Sequence, residues 1–254
     1  MAHLFPYSVF NSTSKGDPGS FEYSNWGIML AGRLAEVVEL VAQRVFQPAQ
    51  MCTATYDPAD VLTADNYIVG NGPALGCPEP ELGHDGEAPY EMDELACRAR
   101  DPNGGVRASA VDIGRFAATF LADLDGAHTM LSQDLAHRML CPGGGTYKQG
   151  CAGRVEAPPF FPYYDSYGYT NLRHTTKGLT IYSHGGNRPG FTSLLWIVPE
   201  RQFAVVILGN QTNINNQQSA WAEKIVDCWL NDARRPARHS SVDPRQRRSA
   251  CRRA

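Results

Sequence analysis

Several features that identify common classes of protein are missing from this chain of 254 residues. No apolar run reaches the ~18–20 residues that a membrane-spanning helix needs, so the sequence predicts no membrane span. The amino terminus has no basic residue ahead of a short apolar stretch, and we expect no export signal within the chain. The seven cysteines form no C-x-x-C pair and the seven histidines show no H-x-x-x-H spacing. We therefore expect no zinc site, and nothing in the sequence requires a cofactor.

Positive charge is absent from residues 45–97, where acidic side chains, proline and glycine crowd together instead. We expect residues 46–105 to form a loop-rich acidic insertion on the surface. Residues 232–254 hold eight Arg and two Asp, a net charge of +6, which leaves −9 on the residues before them. Because this tail has no aromatic residue for stacking and no folded module beside it, we expect a disordered tail and no nucleic-acid partner.

The cysteines are placed where disulfides would be useful. Cys141 and Cys151 bracket a glycine-rich loop that a disulfide would close. Cys52, Cys77 and Cys97 lie in a stretch that is rich in turns. This pattern indicates an oxidising, extracytoplasmic compartment, periplasmic or secreted, and scattered reduced thiols are the alternative. An export signal in sequence upstream of the chain would reconcile the cysteines with the missing signal.

Hydrophobic periodicity predicts a helix near the start of the chain. Apolar residues recur at spacings of three and four from Ile28 to Val45, which places one apolar stripe toward a core. Asn25 is expected to be the N-cap of this helix, since its side chain can accept a hydrogen bond from the first turn.

Two further helices are predicted in the middle of the chain. Ser109 and Asp112 form a capping box, and a strongly amphipathic pattern follows as far as Leu124. A shorter helix is expected from Ser132. Its inward-facing residues are expected to be Leu135, Met139 and Leu140.

The last third of the chain is predicted to be rich in β-structure. Residues 178–183, 191–198 and 203–208 read as strands, and the last two are joined by a short polar turn, as in an antiparallel hairpin. A helix over residues 218–231 follows. We expect its buried face to contain Trp221, Ile225, Cys228 and Trp229. Helices first and antiparallel strands afterwards favour an α+β fold, in one domain over residues 1–231.

Tyr23 and Asn25 are the first candidate site residues. Side chains two residues apart in an extended segment point the same way, so the phenol and the carboxamide can face one ligand. A tyrosine near positive charge can transfer protons, and an asparagine can bind a substrate amide. The structural alternative is that Asn25 caps the helix and Tyr23 packs beneath it.

His184, Gly185 and Gly186 form the second candidate. A polar residue at the end of a core strand, followed by two glycines, allows a ligand to approach the backbone closely. Free N–H groups at such a place can stabilise a developing oxyanion. The structural alternative is a glycine turn with a histidine on the surface.

Taken together, these segments resemble a known family. Residues 18–36, around Tyr23-Ser24-Asn25, resemble the Tyr-x-Asn motif of class C β-lactamases and their relatives, among them D-Ala-D-Ala carboxypeptidases, D-aminopeptidases and esterases. Residues 108–116 resemble the helix that this family carries before its last strands. Residues 182–191 resemble its third motif, Lys-Thr-Gly in β-lactamases and often His-Gly-Gly or His-Thr-Gly in the relatives. The likeness runs from about residue 18 to 230, and residues 46–105 match poorly.

The resemblance implies a β-lactamase/transpeptidase-like fold and assigns roles to the candidate residues. Tyr23 would be the proton shuttle of acylation and deacylation, and Asn25 would bind the amide side chain of the substrate. His184 would stand where the lysine of the motif meets a substrate carboxylate. The backbone of residues 185–187 would approach the substrate, with the N–H of Asn187 as half of the oxyanion hole.

The nucleophile motif of the family, Ser-x-x-Lys, begins a buried helix far upstream of Tyr-x-Asn. Ser12 and Lys15 match it, but Gly16-Asp17-Pro18-Gly19 follows, and no helix of useful length survives that run. We therefore expect the chain to begin after the true motif, with the early strands and nucleophile helix missing, and to be inactive or nearly so.

Three hypotheses for the function follow. The leading one is a serine hydrolase that acts, in its full-length form, on a small-molecule or peptide substrate through a serine ester intermediate. The second is a non-catalytic ligand-binding protein on the same fold that has discarded the serine. The third is a small esterase that uses Ser12. The sequence does not distinguish a lactam, a D-peptide or an ester as substrate, and it indicates no oligomeric state.

Overall fold

The structure, a computed structural model, describes most of the chain from Tyr23 to Asn231. The described residues are 23–34, 37–57, 60, 68, 70–71, 102–157, 164–188 and 190–231. Predictions for Ser12, for the tail 232–254 and for most of the segment 46–105 lie outside the described residues.

The described elements form an α+β fold, as predicted. The helices are α1 (Asn25–Leu34), α2 (Val37–Val41), α3 (Ala110–Leu124), α4 (Gln133–Leu140) and α5 (Asn215–Asn231), and a π-helical turn (Ala42–Phe46) follows α2. The strands are β1 (Gly145–Thr146), β2 (Gly150–Cys151), β3 (Val155–Glu156), β4 (Ser166–Tyr167), β5 (Leu172–Thr176), β6 (Leu179–Arg188), β7 (Phe191–Val198) and β8 (Phe203–Gly209). Strands β3 to β8 pair in sequence order into one antiparallel sheet, and β1 pairs with β2.

Strand β6 is longer than its neighbour β5, and this difference shapes the sheet around His184. The pairing of β5 with β6 ends at Leu172 opposite Ser183, whereas β7 follows β6 to Arg188. Residues 184–188 therefore have a described strand on one side only. The sequence predicted that the strand would end at Ser183, but it continues through His184 and both glycines.

Helices α3 and α4 cover one face of the sheet. The capping box at the start of α3 is confirmed, because the Ser109 hydroxyl accepts from the Asp112 N–H and the Asp112 carboxylate accepts from the Ser109 N–H. The predicted apolar face of α3 is buried against strand residues that include Tyr182 and Ile197. The core residues that the two helices contribute are Phe120, Leu121, Leu124, Ala136 and Leu140.

The predictions for α4 are partly right. Ser132 is its N-cap, and its hydroxyl accepts from the Leu135 N–H. Ala136 and Leu140 face the core, but Leu135 is 51% exposed, so its predicted inward orientation is wrong. A single apolar residue in the first turn of a short helix does not define the buried face.

Helix α5 covers the other face of the sheet, with a different side inward from the one predicted. It begins at Asn215, and its buried residues are Gln218, Ala222 and Val226, whereas Trp221 and Ile225 are 46% and 43% exposed. The prediction followed the largest apolar side chains. The structure instead buries small ones and a glutamine, whose amide is accommodated by donating to a strand carbonyl.

The start of α1 differs from the prediction as well. The Ser24 hydroxyl accepts from the Gly27 N–H at 3.0 Å and the Ser24 carbonyl accepts from the Ile28 N–H at 3.4 Å, so Ser24 is the cap. Asn25 is the first helical residue. The predicted buried stripe also fails at its beginning, because Ile28 is 45% exposed. Hydroxyl and carboxamide caps follow similar rules, and the sequence offered both side by side.

The first residues of the predicted surface insertion are buried instead. Phe46, Ala49, Met51 and Tyr56 form a small core that packs against the first two turns of α3. The interpretation of this part as surface is wrong, because single apolar residues separated by turns can fill a core without any periodicity. The rest of the segment that is described is short, and the acidic insertion remains a prediction.

The disulfide expected between Cys141 and Cys151 is present, and it links the end of α4 to β2. Cys52 is also disulfide-bonded, while Cys228 on α5 is an exposed free thiol. Within the described part of the chain, every helix is too short or too polar to span a membrane.

Candidate active site

Three aromatic rings from separate parts of the chain meet beside residues 184–188 of β6, which have a described strand on one side only. Tyr23 precedes α1, Tyr167 lies on β4 and His184 lies on β6. The Tyr23 ring is 6.4 Å from the His184 ring and nearly parallel to it, and it is 6.1 Å from the Tyr167 ring and edge-on to it, centroid to centroid. The structure thus brings together Tyr23 and His184, which the resemblance assigned to one site, and adds Tyr167.

Both nitrogens of the His184 ring are within hydrogen-bonding distance of a partner. Nδ1 is 2.7 Å from the Gly185 carbonyl oxygen, and Nε2 is 3.2 Å from the Tyr167 hydroxyl. Burial lowers the pKa of His184, and the bond to Gly185 opposes that shift only in part. The imidazole is therefore neutral at neutral pH.

The two tyrosines are protonated for the same reason. Burial raises the pKa of Tyr23, and it raises the pKa of Tyr167 further, with the neighbouring Tyr23 adding to the effect. The charge of Arg154 lowers the pKa of Tyr167 only in part, because burial disfavours the charged phenolate more strongly. The three rings form an uncharged cluster that can accept and donate protons but does not itself hold an anion.

Asn25 lies at the rim of this cluster. Its side chain is exposed on the first turn of α1, and its Oδ1 is 3.5 Å from the Tyr23 hydroxyl. The predicted neighbourhood of phenol and carboxamide is present, although Asn25 is helical rather than extended. Its exposed amide is free to turn toward a ligand that contacts Tyr23.

The two glycines after His184 make room for the neighbouring strand. A Cβ on Gly186 would lie 2.6 Å from the Ser193 hydroxyl oxygen. The Gly186 carbonyl accepts from the Asn215 side chain at 3.2 Å. Gly185 lies opposite Leu194 in the ladder, and a Cβ there would lie 3.3 Å from the Ser193 carbonyl oxygen. The glycines therefore allow tight packing between β6 and β7, a reason that the sequence did not reveal.

Asn187 is held by a reciprocal pair of hydrogen bonds. Its Nδ2 donates to Asn213 Oδ1 at 2.6 Å, and its Oδ1 accepts from the Asn213 N–H at 3.3 Å. Asn213 has φ of 62°, a left-handed conformation that asparagine tolerates better than most residues. The loop after β8 thus fixes the end of β6. Sequence reasoning missed Asn213 and Asn215, although the run of asparagines after Leu208-Gly209-Asn210 was a usable signal.

Arg154 supports the strand that carries Tyr167. The sequence did not indicate this residue. Its guanidinium donates to the Ser166 hydroxyl and carbonyl, to the Asn171 side chain and carbonyl, and to the Leu140 carbonyl, all at 2.6–2.9 Å. It also lies 5.3 Å from the centre of the Tyr182 ring. Burial lowers the pKa of Arg154 to about 10. These bonds tie β4, which carries Tyr167, to the end of α4.

The described serines near the site lie on α1, β6 and β7 or directly before them. Ser24 caps α1, Ser183 is 2% exposed within the sheet, and Ser193 lies opposite Gly186 in the strand pairing of β6 and β7. In the whole sequence only Ser12 is followed three residues later by a lysine. Among the described residues, no group of histidine, cysteine and carboxylate side chains is arranged to hold a metal ion. The described cluster therefore consists of uncharged tyrosine, histidine and asparagine side chains that can donate and accept hydrogen bonds.

Comparison with known protein families agrees with this fold. Residues 11–227 match the Beta-lactamase family, and the chain therefore belongs to the β-lactamase family. No curated protein matches the sequence closely enough to count as a relative.

Solved structures of similar fold include penicillin-binding proteins and an amidase. A penicillin-binding protein from Bacillus halodurans has a TM-score of 0.60 at 21% identity, over 81% of this chain and 56% of that one. An octameric penicillin-binding protein homologue from Pyrococcus abyssi has a TM-score of 0.59 at 17% identity, over 79% of this chain and 41% of that one. A D-amino acid amidase from Ochrobactrum anthropi SV3 has a TM-score of 0.59 at 18% identity, over 84% of this chain and 60% of that one. At such identities the likeness shows the fold, and this chain spans 41% to 60% of the length of these structures.

Proposed function

We propose that this chain carries two of the three active-site segments of a serine hydrolase, which in its complete form cleaves an amide, a lactam or an ester through a serine acyl-enzyme. The observation that carries the proposal is the stacking of Tyr23 on His184, whose ring centroids are 6.4 Å apart. These residues are 161 positions apart in sequence, and each comes from a segment that matches a motif of the family.

Tyr23 is proposed to transfer the proton between the nucleophile and the leaving group. Its phenol is protonated in the described cluster because burial raises its pKa. A base role therefore needs a cation nearby, which the lysine of a Ser-x-x-Lys segment would supply. The proposed proton path runs from the serine hydroxyl to Tyr23 and then to the departing group.

The substrate is proposed to lie along residues 184–188 of β6. Residues 184–188 have a described strand on one side only, and the substrate is proposed to lie on the other side, with the N–H of Asn187 as half of an oxyanion hole. Asn25 is proposed to bind an amide of the substrate. A neutral His184 attracts a substrate carboxylate less strongly than a lysine would, which argues against a dedicated β-lactamase.

The serine nucleophile is proposed to come from protein sequence that is not part of this chain. The resemblance places it at the start of a buried helix, and the Ser12–Lys15 match is followed by residues that break helices. The 254-residue chain alone is therefore expected to show little or no activity.

A fluorescent fluorophosphonate probe tests this proposal. The chain and a longer protein with the upstream coding sequence restored are labelled side by side, and labelled peptides are mapped by mass spectrometry. We expect label on a new serine of the longer protein and none on the chain, including none on Ser12. Label on Ser12, abolished in Ser12→Ala, would contradict the proposal and favour a small esterase. No label on a folded longer protein would favour a non-catalytic ligand-binding protein.

An extracytoplasmic location is proposed on the basis of the disulfides. Cys141 and Cys151 are bonded and Cys52 is also disulfide-bonded, which is typical of proteins from oxidising compartments. Alkylation of the protein with and without reductant, read by mass spectrometry, should protect Cys141 and Cys151 until reduction while Cys228 reacts at once. Immediate alkylation of Cys141 in protein isolated from its native source would contradict this location.

A further inference from the structure

We propose that Tyr167 is a positioning residue, which donates its hydroxyl proton to Nε2 of His184 and thereby holds the imidazole as its Nδ1–H tautomer. The relevance of this for catalysis rests on the proposed function, but the hydrogen bonding itself does not. Tyr167 lies in no segment that the sequence singled out.

The tautomer follows from the two partners of the ring. The Gly185 carbonyl oxygen, 2.7 Å from Nδ1, can only accept, so it favours a proton on Nδ1. Nε2 of the neutral ring then has a lone pair and must accept from the Tyr167 hydroxyl, 3.2 Å away. Free neutral imidazole favours the opposite, Nε2–H form, so the protein has to impose this one.

Tyr167 is rigid enough to impose it. Its side chain is 5% exposed, and its ring is edge-on to both Tyr23 and His184. Residue 167 is paired with Leu172 on β5 and with Val155 on β3. The preceding residue, Ser166, accepts from Arg154 through both its hydroxyl and its carbonyl. The hydroxyl of Tyr167 therefore points at His184 from a fixed backbone.

The consequence for the site concerns which groups can donate to a substrate. With its Nε2 lone pair engaged by Tyr167, neutral His184 has no second N–H to offer, because its one proton is bound to the Gly185 carbonyl. The imidazole acts as an acceptor that holds Tyr167 and packs under Tyr23. Tyr167 thus decides the orientation of the ring on which Tyr23 is stacked.

Nitrogen NMR of protein with ¹⁵N-labelled histidine tests this inference. The His184 signals are assigned by their loss in His184→Gln, and the one-bond and two-bond couplings identify the protonated ring nitrogen. We expect Nδ1 to be protonated in the wild-type chain. In Tyr167→Phe, which keeps the ring and loses only the donor, we expect the population to shift toward Nε2–H.

Tyr169→Phe is the matched control, because Tyr169 is on the same segment and is 61% exposed. It should leave the His184 signals unchanged. A wild-type His184 protonated on Nε2 would overturn the inference, as would a Tyr167→Phe variant that keeps the wild-type Nδ1–H signals. The wild-type measurement decides even if Tyr167→Phe does not fold.

This readout needs no catalysis, so it separates the two proposals. If His184 is protonated on Nδ1 but no serine probe labels the protein, the positioning role of Tyr167 is supported and the hydrolase function is rejected. If a serine is labelled but His184 is protonated on Nε2, the hydrolase function is supported and the positioning role of Tyr167 is rejected.

Discussion

The two sides of the candidate site are held in very different ways. On the strand side, Tyr182 and Ser183 are each 2% exposed and Tyr167 is 5% exposed, within a sheet that has helices on both faces. On the helix side, Tyr23 precedes α1, where Ile28 and Leu30 are 45% and 37% exposed. The strand side supplies a rigid frame, and the described contacts of Tyr23 with that frame are made through its ring.

This difference teaches how the site is assembled. The positions of His184 and Tyr167 depend on long-range strand pairing and core packing, which are cooperative and strong. The position of Tyr23 depends on a capped helix whose described apolar residues Ile28 and Leu30 are exposed, and we expect this support to be weaker. Perturbing the strand side should therefore affect the stability of the whole domain, and perturbing the helix side should affect the site locally.

The largest expected effect comes from removing a core side chain. Leu124→Ala should destabilise the domain by about 2–5 kcal/mol, because Leu124 is 1% exposed between α3 and the sheet. Leu30→Ala, the same change on α1, should cost less than about 1 kcal/mol. Urea unfolding followed by circular dichroism measures both. Equal losses would show that the two sides are packed alike.

Arg154→Lys should come next, with a loss of about 2 kcal/mol. A lysine has three donors on one nitrogen and cannot satisfy the acceptors on Ser166, Asn171 and Leu140 together. Arg138→Lys is the matched control, since Arg138 is an exposed residue of α4 paired with Asp134. The same unfolding assay applies, and a change at Arg154 as small as at Arg138 would contradict its role beneath β4.

Stability should also depend on two histidines of the sheet. Burial lowers the pKa of both His174 and His184 from 6.5, so below that pH the unfolded chain binds protons that the folded chain does not. Stability should therefore fall as the pH drops below about 6.5, until the folded-state pKa values are reached. Melting temperatures at about pH 7.5 and about pH 5.5 measure the effect.

Replacement of His174 separates this effect from the titration of carboxylates. In His174→Gln the difference between the two melting temperatures should become smaller, because one of the two titrating groups has been removed. A pH dependence identical to that of the wild type would show that protonation of His174 is not coupled to folding.

The smallest expected effect is at the cap of α1. Ser24→Ala should cost about 0.5–1 kcal/mol, because it removes the hydroxyl that accepts from the Gly27 N–H. Asn25→Ala should cost less, since Asn25 is not the cap. Unfolding curves of the two variants compare their stabilities directly. A larger loss of stability in Asn25→Ala would show that Asn25 is the N-cap, as the sequence suggested.

Much of the strand side could be predicted from the sequence, for physical reasons. The capping box at Ser109, the apolar stripe ending at Leu124 and the hairpin of β7 and β8 are local patterns that agree with the final fold. The pairing of Tyr23 with His184 required the family resemblance. Neither periodicity nor composition indicates that two segments so far apart in sequence will meet.

The features that were missed depend on contacts that a sequence does not display. Tyr167 and Arg154 are single residues whose roles come from strands paired across turns. Helix α5 buries Gln218 and exposes Trp221, because packing and an available carbonyl override side-chain hydrophobicity. Ser24 rather than Asn25 caps α1, and the sequence did not distinguish them because two good capping residues are adjacent.

The central claim, that Tyr23 and His184 belong to one catalytic site, is tested most directly by the rate of serine labelling in the longer protein. Tyr23→Phe should keep the ring stacking and lose the hydroxyl, and we expect labelling to slow by about 10²- to 10⁴-fold. Tyr169→Phe, an exposed tyrosine change, should label at the wild-type rate. Labelling of Tyr23→Phe at the wild-type rate would contradict the account.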